Sequence, residues 1–443
     1  MPVKKYRKVK ENISVSPKKK KDRHWFVRDS ATGELVKTEP FTRHAEKIDL
    51  ELCENTQFIY ELDLAELELE SFSLDVKIGG GLRVFTANLN SKPLASLMPI
   101  LKSRLAYFQK IDGKYTDYYF LQRYNQTHSA NQYLTHWFYP YKGKYHPQMI
   151  RALLNIIGTK SDETILDPFI GSGTTALECQ LMNINCIGID VSPLCVTLSK
   201  VKTQSLEVLD EIKKLKNVVS SKNSKTNTEL FPSKTYEDIK NERVRNFYVI
   251  AEMIAHSDQS RRGKDFESSF RFNIDRMIKS LEDYQSAKQK LGLKLGKTDI
   301  REGDVRKLDL DNSSVDGVIC SPPYSIALDY VQNDAHALSA LGYNLTHIKE
   351  DFIGVRGTGF NKFELYNMDM KKSINEMHRV LKPDKYCVIV IGNVTYQGEE
   401  VDTTGMTIKY CEEAGFKLKY KIDKIIFGLY NVMQKEYILI FQK

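Results

Sequence analysis

Hydrophobic and polar positions along this chain form two kinds of block that differ in length. Short apolar runs at 186–189 and 315–320 are typical of strands that are buried on both faces of a parallel sheet. Longer segments at 370–380 and 403–414 carry apolar residues every three or four positions, which predicts amphipathic helices. Because the two kinds of block alternate, the sequence predicts an α/β fold with a mostly parallel sheet.

The spacing of the blocks predicts how the chain is divided. A polar stretch at 220–234 is followed by helical patterns at 236–255 and 270–291, where the next strand would be expected. The last apolar runs, at 424–427 and 436–441, predict a hairpin that completes a seven-stranded sheet. The predicted parts are a basic tail at 1–24, an N-terminal region at 25–134, a catalytic domain at 135–204 and 297–443, and a mainly helical insertion at 205–296.

Composition favours an intracellular enzyme over a secreted or membrane protein. The 443 residues include seven cysteines, an odd number without Cys-x-x-Cys spacing, which argues against a disulfide framework and against a zinc site. No apolar run approaches the length of a membrane span, and residues 1–5 lack the apolar core of a signal peptide. We therefore expect a cytoplasmic enzyme that holds no metal.

The formal net charge of +8 is concentrated at the N-terminus. Residues 1–24 contain ten lysines and arginines against two acids, which equals the net charge of the whole chain. Such a tail is expected to be disordered and to lie along phosphates, so that binding of a nucleic acid would depend on salt. The alternative is a solvated terminus that only aids solubility.

A glycine-containing turn follows the strand predicted at 164–167. Gly171 and Gly173 let a ligand approach the backbone closely, and a helix begins directly after them. Asp190 follows the next predicted strand, where its carboxylate can accept hydrogen bonds from two ribose hydroxyls. The spacing is typical of nucleoside cofactor sites. A dinucleotide fits the glycine pattern as well, but Asp167 and Pro168 stand where a pyrophosphate-binding turn would follow its strand directly.

A second loop, Ser321-Pro322-Pro323-Tyr324, follows the buried strand predicted at 315–320. Two consecutive prolines cannot continue a hydrogen-bonded ladder, so they hold the backbone rigid beyond the strand end. The loop presents a hydroxyl, free carbonyls and one aromatic ring above the sheet. These groups suit a planar ring that bears an amine.

Together the two loops resemble the S-adenosylmethionine-dependent amino-methyltransferases of DNA, which make N4-methylcytosine or N6-methyladenine. Members of that family carry an Asp-Pro-Phe-x-Gly-Ser-Gly-Thr-Thr turn and a [Ser/Asp/Asn]-Pro-Pro-Tyr loop, and this chain matches both at 167–175 and 321–324. Weaker matches lie at 146–150, 303–305 and 381–383. The resemblance covers about residues 135–205 and 297–443, and the order of its motifs indicates a permuted arrangement.

The resemblance implies a Rossmann-like class I methyltransferase fold with S-adenosylmethionine as cofactor. It assigns cofactor binding to the turn, to the acid after the second strand, to an acid that would bind the adenine amine, and to a His-Pro segment: Asp167, Phe169, Gly171, Ser172, Gly173, Thr174, Thr175, Asp190, Asp304, His146 and Pro147. The catalytic residues that it implies are Ser321, Pro322, Pro323 and Tyr324. For Asp304 a strand-end turn residue is the alternative, and His146 is expected to orient the chain rather than to take protons.

The expected chemistry needs positioning more than acid–base catalysis. A sulfonium methyl is already activated, so an amine must be held in line with the S–CH3 bond. The Ser321 hydroxyl and the Pro322 carbonyl would accept the amine hydrogens, while Tyr324 stacks on a base that has been flipped out of the duplex. Relatives with serine at the first loop position mostly modify cytosine, so the resemblance implies N4-methylcytosine. Cys320 precedes the loop and is interpreted as structural, not as a nucleophile for carbon-5 methylation.

Double-stranded DNA is the expected partner, in a restriction-modification system with a cognate restriction endonuclease or as an orphan enzyme. Candidates for reading DNA are the region 25–134, the insertion with its basic residues 261–264 and 271, and the glycine-rich loop within 345–363. Aromatic residues crowded between 115 and 145 would either stack on nucleotides or form core. The alternatives are N6-adenine methylation, methylation of an RNA base amine, and a cofactor-binding regulator without turnover.

Overall fold

The computed structural model describes residues 7–8, 25–28, 35–38, 47–78, 82–89, 94–125, 127, 129–221, 236, 238–323, 330–340, 342–357, 359–396, 399–427 and 433–443. The strands among them are β1 (Arg7–Lys8), β2 (Trp25–Arg28), β3 (Leu35–Thr38), β4 (Lys47–Leu52), β5 (Leu74–Ile78), β6 (Val84–Leu89), β7 (Phe108–Ile111), β8 (Lys114–Tyr115), β9 (Thr164–Asp167), β10 (Asn185–Asp190), β11 (Thr298–Glu302), β12 (Val315–Cys320), β13 (Leu381–Gly392), β14 (Val394–Tyr396), β15 (Glu399–Val401), β16 (Lys417–Phe427) and β17 (Met433–Gln442). The helices are α1 (Ile59–Ser71), α2 (Leu94–Arg104), α3 (Asp117–Leu121), α4 (Pro147–Ile156), α5 (Thr174–Leu181), α6 (Pro193–Gln204), α7 (Leu209–Ser221), α8 (Glu242–Arg262), α9 (Phe266–Lys290), α10 (Tyr330–Asn333), α11 (Ala335–Ala340), α12 (Leu345–Asp351), α13 (Gly359–Val380) and α14 (Thr403–Glu413).

The main sheet confirms the α/β prediction. Its strand order is β1-β16-β17-β13-β12-β9-β10-β11. The strands from β13 to β11 in this order pair in parallel, whereas β17 pairs antiparallel with β13 and β16. This is the mostly parallel, Rossmann-like arrangement expected of a class I methyltransferase, with the predicted closing hairpin formed by β16 and β17. We call the edge where β9 to β13 end the carboxyl rim.

The predicted tail contributes to this sheet. Arg7 and Lys8 form β1, which pairs antiparallel with Lys421 and Tyr420 of β16 and adds an eighth strand to the predicted seven. These two residues therefore belong to the sheet rather than to a disordered tail. The other residues of 1–24 lie outside the described part of the chain.

Helices cover both faces of the sheet. Ile319 and Val388 belong to a core with α4 and α5, whereas their strand neighbours Val318 and Ile389 belong to a core with α13 and α14. Successive residues of a strand point to opposite faces, so the runs of β12 and β13 are apolar without alternation because both faces are buried. The result is a three-layer domain in which loops leave the strands at the carboxyl rim.

The N-terminal region forms a second sheet. Its strand order is β5-β6-β4-β7-β8, and all of its pairings are antiparallel. Ile48 and Phe85 of this sheet share one hydrophobic core with Ile165 and Ile440 of the main sheet. The predicted boundary between 134 and 135 therefore divides the sequence but not the core.

The insertion is helical, as predicted, and it packs on the catalytic domain. Its helices α8 and α9 are 21 and 25 residues long and share a core with α6 and α11. Of the helices described, none is both long and apolar enough to cross a membrane.

Candidate active site

The glycine turn connects β9 to α5. Gly171 and Gly173 adopt left-handed backbone conformations, with φ of 48° and 76°. A Cβ atom at Gly173 would lie 2.7 Å from the Ser199 Oγ atom and 3.0 Å from the Ser199 Cα atom of α6. Gly173 is thus required for helix packing as well as for its φ angle, so a bulky residue there would displace α6 rather than block a ligand alone.

Side chains from β10 and α6 hold the backbone of this turn. The Gly171 N–H donates to Asp190 Oδ2 at 2.9 Å, and the Gly171 carbonyl accepts a hydrogen bond from Ser199 Oγ at 3.1 Å. The Ser172 carbonyl accepts a hydrogen bond from Lys202 Nζ at 2.7 Å. The turn is therefore shaped before any ligand binds.

Lys202 is a fully buried lysine that the sequence analysis did not single out. Burial, together with the charge of Lys144, holds its pKa well below the usual range. Burial lowers the pKa of Lys144 to about 7, and that ammonium donates to the His136 carbonyl and to Gln132 Oε1. No pattern in the sequence distinguishes Lys202 from Lys200 on the same helix, whose side chain is 30% exposed.

Asp190 occupies the position predicted for a ribose-binding acid. Its Oδ1 atom accepts from the Ser192 N–H at 2.9 Å, and its backbone carbonyl accepts from the Gly303 N–H at 3.0 Å. Burial raises the pKa of its carboxyl to about 6, although the N–H groups of Ser192 and Gly171 oppose that effect. Each carboxylate oxygen has a second lone pair, so the group can still accept from hydroxyls of a ligand.

Asp167 ends β9 directly below the turn. Its Oδ1 atom accepts from the Phe169 N–H at 3.1 Å, while the buried Oδ2 atom has no hydrogen-bond partner among the described residues. Burial raises the pKa of this carboxyl to about 7, although the nearby Thr175 hydroxyl and the Phe169 N–H oppose that effect. An unpaired buried acceptor beside the glycine turn fits a site that a polar cofactor completes.

The chain before α4 covers the turn. Atoms of the Tyr141 ring lie 3.4 to 3.6 Å from the position that a Cβ atom of Gly171 would take, and Cys195 Sγ donates to the Tyr141 hydroxyl at 3.6 Å. Two residues earlier, the Tyr139 hydroxyl donates to Asp334 Oδ1 at 2.8 Å. Among the crowded aromatic residues Tyr141 lies against the glycine turn, whereas Tyr118, Tyr133, Phe138 and Tyr139 are core.

A buried polar network holds this covering segment on α5. Glu178 Oε1 accepts from the Tyr133 hydroxyl and lies 2.9 Å from His136 Nε2, and Glu178 Oε2 accepts from Arg151 Nε at 3.1 Å. Burial lowers the pKa of His136 to about 4, so its ring is neutral at pH 7. Burial would raise the pKa of Glu178, but His136 and Arg151 outweigh it and hold that pKa below the usual range. No local pattern indicates this network, because its members are far apart along the chain.

The predicted His-Pro segment starts α4. His146 is the N-cap residue and Pro147 occupies the first helical turn. Among the charges that act on the His146 ring are Lys424 and Glu436 of β16 and β17, which places the ring on that side of the sheet. A cofactor contact for these two residues stays a prediction.

The proline loop leaves β12 beside the glycine turn. β12 pairs in parallel with β9, with Val318 opposite Leu166. The Pro323 carbonyl accepts a hydrogen bond from the Tyr366 hydroxyl of α13 at 3.1 Å. Tyr324 lies outside the described residues. Cys320 is buried, with its Sγ atom 3.8 Å from Met377 Sδ, which agrees with a structural role.

Asp304 follows β11 and is bound by its own neighbour. Its carboxylate accepts hydrogen bonds from the Arg306 N–H and from Arg306 Nε at 2.8 to 2.9 Å. Arg306 also contacts the buried Asp369 at 3.3 Å, and Asp369 is in turn bound by Arg356 Nε at 3.0 Å. The arginine of the glycine-rich loop is therefore used inside the protein, and adenine binding by Asp304 stays a prediction.

Two family models match parts of this chain. One, described as DNA methylase, matches residues 4–201, and the other, described as an RMKL-like methyltransferase domain, matches residues 139–348. Each match covers less than half of the 443 residues.

Curated relatives match over short segments. The Type II methyltransferase M.MjaII of Methanocaldococcus jannaschii is 42% identical over 91 residues, which is 20% of this chain and 16% of that protein. The Type II methyltransferase M.BsoBI of Geobacillus stearothermophilus is 39% identical over 66 residues, 15% of this chain and 13% of that protein. The tRNA (guanine(10)-N2)-dimethyltransferase of Pyrococcus abyssi is 33% identical over 93 residues, 21% of this chain and 26% of that protein. The matched segments thus span at most 26% of the length of these relatives.

Solved structures add a general similarity. A SAM-dependent methyltransferase of Methanosarcina mazei aligns with a TM-score of 0.30 at 13% identity, covering 64% of this chain and 93% of that one. Because this score is low, the fold assignment rests on the strand order described above. The partial sequence matches thus show a similarity to methyltransferases, some named for DNA and one for tRNA.

Proposed function

We propose that this chain transfers a methyl group from S-adenosylmethionine to the exocyclic N4 amine of a cytosine in double-stranded DNA. The observation that carries the proposal is the adjacency of the two loops. β9 and β12 are neighbouring parallel strands, so the turn that follows Asp167 and the loop that begins at Ser321 leave the sheet at the same rim. A cofactor on the glycine turn and an amine at the proline loop would then meet at the carboxyl rim.

The cofactor supplies a methyl group that its sulfonium already activates, so the residues of this chain have to bind and orient. The glycine turn, Asp190 and the unpaired Asp167 oxygen would hold the cofactor. The Ser321 hydroxyl and the Pro322 carbonyl would accept hydrogens from the target amine, which favours a nucleophilic nitrogen lone pair. Tyr324 would stack on the base, and the base has to leave the duplex to reach this rim.

The serine of the loop favours cytosine as the target. A hydroxyl is both a donor and an acceptor, so Ser321 can serve the ring N3 atom of cytosine as well as its amine, whereas an ionised aspartate only accepts. N6-adenine methylation is the alternative within the same chemistry. The proposed biological setting is a restriction-modification system or an orphan modification enzyme.

Methylation of an RNA base amine is the second candidate function. One of the relatives is named for methylation at N2 of a guanine in tRNA, which is also an exocyclic amine. The same two loops would serve either substrate. A regulator without turnover is disfavoured because the sequence keeps both Ser321 and Tyr324 of the loop.

The deciding experiment supplies purified protein with S-adenosylmethionine and, separately, with duplex DNA and total RNA, and then identifies modified nucleosides by mass spectrometry. We expect N4-methylcytosine in DNA. N6-methyladenine alone would overturn the base assignment but not the chemistry, modified RNA alone would move the function to RNA, and 5-methylcytosine would contradict the mechanism. Ser321→Ala is the control, and it should lose transfer while it still binds the cofactor.

A further inference from the structure

We infer that the α8–α9 hairpin of the insertion is the surface that holds duplex DNA beside the methyl-transfer site. This inference rests on the proposed function, because it takes DNA as the substrate. It selects one of the three segments that the sequence left as candidates for reading DNA.

The hairpin starts at the end of the sheet that lies opposite the carboxyl rim. α6 begins at Pro193, three residues after β10 ends at the rim, and descends from there. α8 begins beside the lower end of α6, where Lys200 Nζ lies 3.6 Å from Glu242 Oε1. α8 therefore rises toward the rim while α6 descends from it.

Helix lengths place the tip of the hairpin above the rim. Lys200 lies seven residues below Pro193 on α6, so α8 needs about seven residues above Glu242 to reach the level of Pro193. Thirteen more residues reach Arg262 at the end of α8, and at 1.5 Å per residue they extend about 20 Å beyond the start of α6. The upper half of the hairpin thus forms a wall beside the site.

The tip of this wall contacts the elements that surround the site. Arg261 Nη1 donates to the Pro140 carbonyl at 3.2 Å, and Arg261 Nη2 lies 3.9 Å from Asp334 Oδ1. Pro140 directly precedes Tyr141, which lies against the glycine turn, and Asp334 lies between α10 and α11, the two short helices that come after the proline loop in the chain. The hairpin is thereby fixed next to the place where a flipped base would enter.

Its outer side presents cations and one large apolar side chain. The side chains of Arg262, Lys264 and Arg271 are 63%, 47% and 46% exposed. Arg262 and Lys264 share Asp258, which is only 10% exposed, so they leave a positive charge facing outward. Arg271 pairs with Glu267, which is 46% exposed, and adds less to that charge. Phe272, next to Arg271, is 57% exposed. Cations bind the phosphate backbone of DNA, and an exposed ring suits contact with bases or sugars.

The competing surface lies in the N-terminal region. Tyr115 and Tyr119 stack there at 3.9 Å, with the Arg123 guanidinium 3.8 Å from the Tyr119 ring. Lys102 of α2 pairs with Asp117 in this patch, and Arg104 at the end of α2 donates to the Thr159 carbonyl before β9 begins. The patch is thus connected to the amino end of the sheet, away from the rim.

The test compares two triple variants that each remove three cations. Arg262→Ala/Lys264→Ala/Arg271→Ala alters the hairpin, and Lys110→Ala/Lys114→Ala/Arg123→Ala alters the N-terminal patch. Lys110 Nζ lies 5.1 Å from the centre of the Tyr115 ring of that patch, and Lys114 directly precedes Tyr115. Binding to a mixed-sequence duplex of about 30 base pairs is measured across salt concentrations. The hairpin variant should bind roughly 100-fold more weakly at ~0.15 M salt, and its log–log salt slope should fall by about 2.7. The patch variant should keep the slope of the wild type.

S-adenosylmethionine titration and thermal melting of both variants check that fold and cofactor site are intact. The inference is wrong if the hairpin variant shows the same salt dependence of DNA binding as the wild type. It is also wrong if only the patch variant shows a weaker salt dependence. Failure of the proposed function looks different: in that case the wild-type protein itself would transfer no methyl group to DNA.

Discussion

The two halves of the candidate site are built in different ways. The backbone of the glycine turn is held at Gly171 and Ser172 by side chains that lie within the next 31 residues of the chain, up to Lys202. The proline loop is held at Pro323 by Tyr366, which lies 43 residues further along. The glycine turn is thus held mainly by the two elements that follow its helix, β10 and α6, whereas the proline loop is held by α13, which comes after three further helices.

The halves also differ in electrostatic cost. The cofactor half buries Asp167, Asp190 and Lys202 next to the turn. Burial raises the pKa of the two carboxyls and lowers the pKa of the lysine, so in each case it favours the neutral form. Groups of this kind reduce stability and are retained where function requires them. We therefore expect substitutions in the cofactor half to change stability through burial, and loss of a distant contact in the target half to change methyl transfer alone.

Asp167→Asn should produce the largest effect. Burial raises the pKa of this carboxyl from 3.8 to about 7, so the folded state favours the protonated form. The stability that this proton provides is present below pH 3.8 and is lost as the pH rises through about 7. At pH 8 the free energy of unfolding of the variant should therefore exceed that of the wild type by up to about 4 kcal/mol, so the variant is the more stable protein. Near pH 4 the two values should be equal.

Denaturant unfolding of the cofactor-free proteins between pH 4 and 8 measures this difference. Asp162→Asn, at an exposed position before the same strand, is the matched control and should leave the curve of the wild type unchanged. A stability difference for Asp167→Asn that is the same at all pH values would contradict the explanation by burial.

Lys202→Met should separate cofactor binding from stability. The variant removes the amino group that holds the Ser172 carbonyl, and loss of this hydrogen bond should weaken S-adenosylmethionine binding about tenfold. Thermal stability should stay equal or rise, because an apolar chain of similar length replaces a buried polar group. Calorimetric titration and thermal melting measure the two effects. Lys200→Met on the same helix is the control, and an unchanged affinity in Lys202→Met would show that the turn does not need this support.

Tyr366→Phe should have the smallest effect, confined to the target half. It removes one neutral hydrogen bond to the Pro323 carbonyl, so methyl transfer in a single turnover should slow by about 2- to 10-fold. Cofactor affinity should not change, since the bond lies at the other loop. The exposed Tyr343→Phe is the control. A loss of cofactor affinity in Tyr366→Phe would break the division between the two halves.

The sequence predicted the parts of the site whose chemistry is local. The glycine turn, Asp190 and the proline loop were located because each follows a recognisable strand, and strands, turns and helix starts depend on residues close together in the chain. The fold class and the helical insertion followed from the same short-range patterns. The wrong expectation concerned Arg7 and Lys8, since two residues that only complete a sheet edge carry no pattern of their own.

The residues that support the site were decided by tertiary structure. Lys202, Tyr141 and the network around Glu178 act through contacts between segments 27 to 45 residues apart in the chain, and no local pattern specifies such a pair. Burial is equally a property of the whole fold, and it separates Arg356, which binds Asp369 inside the protein, from Arg262, which faces solvent. By itself the sequence therefore determined which loops carry the proposed chemistry, because backbone conformation at strand ends is a local matter. Only the tertiary structure decided what holds those loops and which charges face outward, because hydrogen bonding and desolvation depend on what surrounds a side chain in space.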